Sequence, residues 1–126
     1  MRRLSILVVW VLAWSAAAYA VDPKDLLPPE RAFKLSVVLK DASTVRARWD
    51  IADGYYMYRE RFKFSADTPA LQLQPAVFPP GQAKHDEFFG EVHIYRGQAV
   101  IDIPIARGID APNAFNLTTV SQGCAD

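Results

Sequence analysis

Apolar and polar residues alternate through most of the chain with the two-residue period of a β-strand. Phe33, Leu35, Val37 and Leu39 fall on one side and Lys34, Ser36 and Lys40 on the other, which predicts a half-buried strand. After a turn over Lys40–Ser43, Val45, Ala47, Trp49 and Ile51 alternate with Arg46, Arg48 and Asp50, so the two strands read as a hairpin. Asp53-Gly54 signals a tight turn. Tyr55–Tyr58 and Phe62–Phe64 then predict a third strand and a bent fourth, and Leu71 with Leu73 marks another short one. Pro79-Pro80-Gly81 breaks regular structure. Val92–Ile94 and Ala99–Ile105 give two more strands around Arg96-Gly97, and Pro104 places the second at an edge or at its own end. Phe115–Ser121 is the expected last strand, leading into Gly123-Cys124. No stretch sustains a helical period, and Pro23, Pro28 and Pro29 make Val21–Glu30 an extended lead-in. Short strands with regularly spaced turns predict an all-β sandwich.

The first twenty residues break this pattern. Met1-Arg2-Arg3 is a positive start, Leu4–Trp14 is apolar except for Ser5, and Ala18-Tyr19-Ala20 fits a small-residue cleavage site. The apolar run is short for a membrane span of about 20 residues. Residues 1–20 are therefore expected to be a cleaved signal peptide, and 21–126 a single domain exported to the periplasm. Removing Arg2 and Arg3 from 14 basic side chains leaves 12 against 14 acidic ones, a net charge of about −2 for the exported part. No basic face is evident, which argues against nucleic acid as a partner.

Export changes the meaning of the single cysteine. A lone cysteine where disulfides form points to an intermolecular bond, a reactive thiol or a missing partner. The chain stops shortly after it, at Ala125-Asp126, so a truncated chain with a second cysteine beyond residue 126 is expected. Gly123 leaves the backbone open to close approach, and the Asp126 carboxylate is the acidic group expected near the thiol. By strand alternation Tyr56 and Tyr58 share one face and Tyr55 and Met57 the other, so two phenols stand together as a site wall or as core. The segment Asp86-Glu87-Phe88-Phe89-Gly90 reads as a loop with two phenylalanines, which must cover something: the end of the sandwich, or a reactive group under a lid hinged at Gly90. Asp86 and Glu87 read as a carboxylate pair or a solvated loop. His85 and His93 lack metal-ligand spacing and read as surface residues. No hydrolase signature and no cofactor fingerprint is present.

Three segments taken together carry a family resemblance. They are Trp49-Asp50-Ile51-Ala52-Asp53-Gly54-Tyr55-Tyr56-Met57-Tyr58-Arg59, then His85–Gly90 continued through Ile94-Tyr95-Arg96, and Ser121-Gln122-Gly123-Cys124-Ala125-Asp126. In this order they resemble the N-terminal periplasmic domain of the DsbD family of thiol:disulfide interchange proteins. The resemblance implies an immunoglobulin-like β-sandwich. It implies a cysteine pair, with Cys124 as the first member and the second about six residues later, beyond the end of this chain. It implies a cap over that pair, with Phe88 as the capping ring within Asp86–Gly90 and Tyr56 and Tyr58 beside it. The implied activity is thiol–disulfide exchange without a cofactor, by a protein-disulfide reductase anchored in the inner membrane. Electrons would pass from a membrane-linked thioredoxin-like domain to a periplasmic disulfide isomerase or a cytochrome c maturation protein. The other reading of the residues is a non-catalytic exported sandwich that docks partners through an edge strand, with Cys124 incidental or linking two copies.

Overall fold

A computed structural model describes residues 25–126 of the chain. The expected signal peptide lies outside the described residues. A one-turn helix α1 (Pro29–Ala32) leads into ten strands: β1 (Phe33–Asp41), β2 (Thr44–Ile51), β3 (Tyr55–Tyr58), β4 (Lys63–Ala66), β5 (Leu71–Leu73), β6 (Gln82–Asp86), β7 (Gly90–Tyr95), β8 (Gln98–Arg107), β9 (Leu117–Val120) and β10 (Gly123–Ala125). They form two four-stranded antiparallel sheets, ordered β1-β2-β8-β5 and β10-β3-β7-β6, and a separate β4-β9 pair.

The alternation in β2 determines which side of the first sheet is buried. Val45, Ala47, Trp49 and Ile51 are all buried, and so are Ala99, Ile101, Ile103 and Ile105 of the neighbouring β8. Met57 of β3 and Tyr95 of β7 close the same core from the second sheet. Trp49 meets Phe62 edge-on at 5.0 Å between ring centres. On the outer face Arg46 and Asp102 stand opposite each other across β2 and β8, with Arg46 Nε donating to Asp102 Oδ1 at 2.8 Å. Each fully buried aliphatic side chain here stabilises the fold by roughly 1.5–3 kcal/mol.

Strand β3 faces two cores. Met57 and Tyr55 belong to the main one, while Tyr56 and Tyr58 turn outward and form a second, smaller cluster with Val92 and Ile94. The alternation read from the sequence is therefore present, and neither face of β3 is left to solvent.

Five expectations need correction. The β1–β2 hairpin forms, but β1 is an edge strand whose Leu35, Val37, Val38 and Leu39 are exposed, because among the described residues the core between the sheets does not extend over them. Asp86, expected in the Asp86–Gly90 loop, instead ends a strand β6 (Gln82–Asp86) that lacks an apolar stripe and is held by pairing with β7. Pro104 neither ends β8 nor sits on a free edge. It occupies the last rung with β2, opposite Thr44, and β8 continues to Arg107 on its pairing with β5. The strand expected over Phe115–Ser121 forms as β9, paired with β4, but it is not the last, since Gly123–Ala125 makes a further strand, β10, on β3. Finally, Pro29 opens a helical turn instead of extending the lead-in, since proline at the first helical position loses no hydrogen bond.

These burials set an expected contrast in stability. Ile101→Ala should lose about 2–5 kcal/mol in denaturant unfolding, whereas Val38→Thr on the exposed edge should stay within about 0.5 kcal/mol of the parent. Equal losses would mean that β1 is covered in solution.

Candidate functional site

Cys124 sits at the centre of β10, a three-residue edge strand, directly opposite Tyr56 of β3. The strand is tied down on both sides of the cysteine. The Tyr58 N–H donates to the Gln122 carbonyl at 3.0 Å, and the Asp126 N–H donates to the Gly54 carbonyl at 2.8 Å. Gly123 is required by packing: a Cβ there would run into the Phe33 ring and lie 2.8 Å from the Tyr56 carbonyl oxygen. The close approach foreseen at Gly123 is thus made by Phe33 of the same chain.

Beside the cysteine, the hydroxyls of Tyr58 and Tyr56 both donate to Asp86 Oδ2, at 2.7 and 3.1 Å. The other carboxylate oxygen, Oδ1, accepts the N–H groups of Phe88 and Phe89 at 2.8 and 3.0 Å. Asp86 is 3% exposed and is the only buried charged side chain among the described residues. The Tyr58 hydroxyl above all, together with the two amides and the Tyr56 hydroxyl, holds its pKa down to about 2, against an ordinary 3.8. Burial raises the Tyr58 phenol pKa far above its usual range, and the thiol and carboxylate beside it push the same way. That hydroxyl lies 3.3 Å from Cys124 Sγ. A phenol has one hydrogen to give. With the Tyr58 hydrogen on the closer, charged Asp86, its oxygen is left to accept from the thiol.

The turn that carries Asp86 is a tight hairpin. Asp86 and Gly90 form the last rung between β6 and β7, and Gly90 has φ of 73°, the left-handed conformation that closes a three-residue loop. The two carboxylates part company here: Asp86 turns in, and Glu87 is exposed. The two phenylalanines part as well. Phe89 packs edge-on against Tyr58, 5.0 Å between ring centres, and the Arg61 guanidinium lies 4.1 Å over its ring. Phe88 is 72% exposed. A polar groove of about 350 Å³ runs past this turn, lined by Tyr56, Lys84, His85, Asp86, Glu87, Ala125 and Asp126.

The acidic neighbour of the thiol is not the one expected from sequence. Asp126 is held by Arg96 through two hydrogen bonds of 2.7 and 2.8 Å, and the carboxylate linked to the sulfur is Asp86, through Tyr58. His85 and His93 are exposed and pair with Glu91 and Glu60, at 2.8 and 2.7 Å. Sequence reasoning gave Phe33, Arg61, Lys84 and Arg96 no part in the site, although Arg96 lies in one of the family-like segments. Each acts from a strand or loop distant in sequence, and no local pattern links them to the cysteine.

The model of the family "Thiol:disulfide interchange protein DsbD, N-terminal" matches residues 23–126. A thiol:disulfide interchange protein DsbD from Ralstonia nicotianae is 41% identical over 125 residues, covering 98% of this chain and 20% of its own length. The corresponding protein of Neisseria meningitidis serogroup B is 38% identical over 126 residues, covering all of this chain and again 20% of its own length. The chain thus spans about one fifth of these relatives. Among solved structures, the N. meningitidis DsbD N-terminal domain in the reduced form matches with a TM-score of 0.72 at 36% identity, over 82% of this chain and 80% of that one. The same domain in complex with the PilB N-terminal domain matches with a TM-score of 0.67 at 36% identity, over 81% and 77% of the two chains. The sandwich is of the immunoglobulin-like kind. Fold and sequence agree, and the chain belongs to the DsbD N-terminal domain family.

Proposed function

We propose that this domain carries out thiol–disulfide exchange at Cys124, as the N-terminal part of a longer, membrane-anchored protein-disulfide reductase facing the periplasm. The observation that carries this reading is the hydrogen-bonded line from Cys124 Sγ through the Tyr58 hydroxyl to the buried Asp86 carboxylate. A structural cysteine in a core needs no such partners. In the resting thiol, S–H points to the Tyr58 oxygen while Tyr58 donates to Asp86. When the thiolate forms, the Tyr58 hydrogen can turn to the sulfur, and Asp86 keeps Tyr56 and two backbone amides. With its pKa near 2, Asp86 is a poor base at neutral pH. Its role is to orient Tyr58 and to hold the turn that carries Phe88 and Phe89.

Exchange begins with attack of the Cys124 thiolate on one sulfur of a partner disulfide. A new S–S bond forms as the partner's breaks, and its other sulfur leaves as a thiolate that takes up a proton. A second thiol must then attack Cys124 to release the reduced partner. By analogy with the family, that thiol would be a second cysteine of the parent protein about six residues past Cys124. Reducing electrons would come from a membrane-linked thioredoxin-like domain and pass to a periplasmic disulfide isomerase or a cytochrome c maturation protein. A solved relative in complex with a PilB domain supports a protein partner of this kind. Phe88 and Phe89 divide the capping work: Phe89 covers Tyr58, and the exposed Phe88 is free to fold over the sulfur or to enter a partner's surface.

Three outcomes are expected. Incubated with an oxidised thioredoxin-like protein, the chain should form a mixed disulfide, visible on a non-reducing gel and lost in Cys124→Ser. An absent adduct, or partner binding that Cys124→Ser leaves unchanged with no adduct formed, would favour a binding module instead. Phe88→Ala should speed alkylation of Cys124 by small reagents, and an unchanged rate would leave Phe89 as the covering ring. The third concerns pH. Asp86 has a depressed pKa in the folded state, so its contribution to stability is full above 3.8 and is lost as pH falls towards about 2. The stability gap between the parent and Asp86→Asn, followed by denaturant unfolding, should therefore narrow over that window. A gap that does not change with pH would show that the charge of Asp86 is not what the site uses.

A further inference from the structure

Two residues of the family-like segments, Arg96 and Asp126, have no part in the exchange chemistry derived above, yet they meet. Arg96 lies in the turn between β7 and β8, so its backbone is fixed from both sheets. The Gln98 N–H donates to the Arg96 carbonyl at 2.7 Å, the Ile51 N–H donates to the Gly97 carbonyl at 2.8 Å, and Gly97 has φ of 73°. From that anchored position the guanidinium donates from Nη2 to Asp126 Oδ1 at 2.7 Å and from Nη1 to Asp126 Oδ2 at 2.8 Å. Its central carbon stands 5.1 Å from the centre of the Tyr56 ring, and the Lys84 ammonium stands 5.2 Å from the same centre. Tyr56 is the residue directly opposite Cys124.

Strand β10 needs such a hold. Among the described residues it pairs with β3 alone. Past Cys124, its backbone attachment at the far end is the Asp126 N–H to the Gly54 carbonyl. A strand paired on one side opens more readily than one paired on both, and a side-chain contact along its edge holds it down. Fraying would move Sγ away from Tyr58. We infer that Arg96 is a positioning residue for Cys124: by gripping Asp126 in a forked ion pair while resting on Tyr56, it clips the cysteine-bearing strand to β3 and keeps the sulfur against the Tyr58 hydroxyl. Arginine suits this task because its planar fork matches both carboxylate oxygens and stacks on an aromatic face, neither of which lysine does equally well. The Arg96 and Asp126 side chains are 38% and 48% exposed, so the clip can open when a partner docks.

The inference rests on Cys124 being the exchanging thiol, but its test does not need a redox partner. Arg96→Ala, Asp126→Asn and the double variant would be compared with the parent 126-residue chain in two measurements: amide hydrogen exchange, and the rate and pH profile of Cys124 alkylation by iodoacetamide. Each single variant should speed exchange at the Asp126 amide and alkylation of Cys124 by about two- to five-fold, the range of an exposed ion pair. The Ile101 amide in the core should be unaffected. The double variant should go no further than Arg96→Ala alone, since Asp126→Asn breaks only the ion pair that Arg96→Ala already removes. Arg96→Lys should restore only part of the effect, and high salt should move the parent towards the variants. Unchanged local exchange and alkylation, or additive effects of the two single variants, would overturn the clip. If Arg96→Ala disturbs folding, Asp126→Asn alone decides the matter. A parent chain that forms no mixed disulfide would sink the proposed exchange function and leave these readings of the clip intact.

Discussion

Burying one carboxylate constrains everything around it. An ionised side chain removed from water costs several kcal/mol unless donors replace the lost hydration. Asp86 finds four donors, two phenolic hydroxyls from strand β3 and two backbone amides from the β6–β7 turn. Meeting that requirement fixes the β6–β7 hairpin at its Asp86–Gly90 rung and turns Tyr56 and Tyr58 to the same side of β3. It also orders the backbone that presents Phe88 and Phe89. The hydroxyl that holds the carboxylate most tightly is the one that reaches Cys124. Charge burial, turn geometry and the environment of the thiol are one linked arrangement.

Strand β3 connects this arrangement to the rest of the fold. Its inward face, with Met57, belongs to the main core between the sheets, and its outward face carries the two tyrosines of the site. The site therefore stands on the best-buried part of the molecule, while the cysteine is supplied by β10, an edge strand among the described residues. A rigid wall and a lightly held thiol suit a reaction in which the sulfur must be kept apart from chance oxidants and yet reach a partner's disulfide. The same logic separates the two phenylalanines. Phe89 is tied between Tyr58 and Arg61, and Phe88 is left free.

Much of the fold was legible because alternation is a local consequence of strand geometry. The β1–β2 hairpin, the tyrosine face of β3 and the isoleucines of β8 all follow from it. It misled where pairing overrode composition. Gln82–Asp86 has no apolar stripe and becomes a strand because β7 offers it a ladder, and Pro104 is tolerated mid-strand because pairing changes partners at that rung. Apolar β1 reads as half-buried, yet lies exposed, since a pattern states what a strand would bury and not whether anything covers it. At the site, the motif residues Cys124, Asp86, Tyr56 and Tyr58 were identifiable in advance. The difference between Asp86 and Glu87, or between Phe88 and Phe89, was not, because adjacent residues in a turn are sorted by its backbone angles.

By itself the sequence determined the strand periodicity, the all-β class, the two-faced character of β3 and the presence of one cysteine among family-like segments. Each of these depends on residue types a few positions apart. Tertiary structure alone decided that Tyr58 bridges Cys124 to Asp86 across separations of 66 and 28 residues. It likewise decided that Arg96 and not the thiol receives Asp126. Hydrogen bonds and ion pairs act over about 3 Å, and which groups come that close is set by how the sheets stack, a property of the folded chain that no local pattern records.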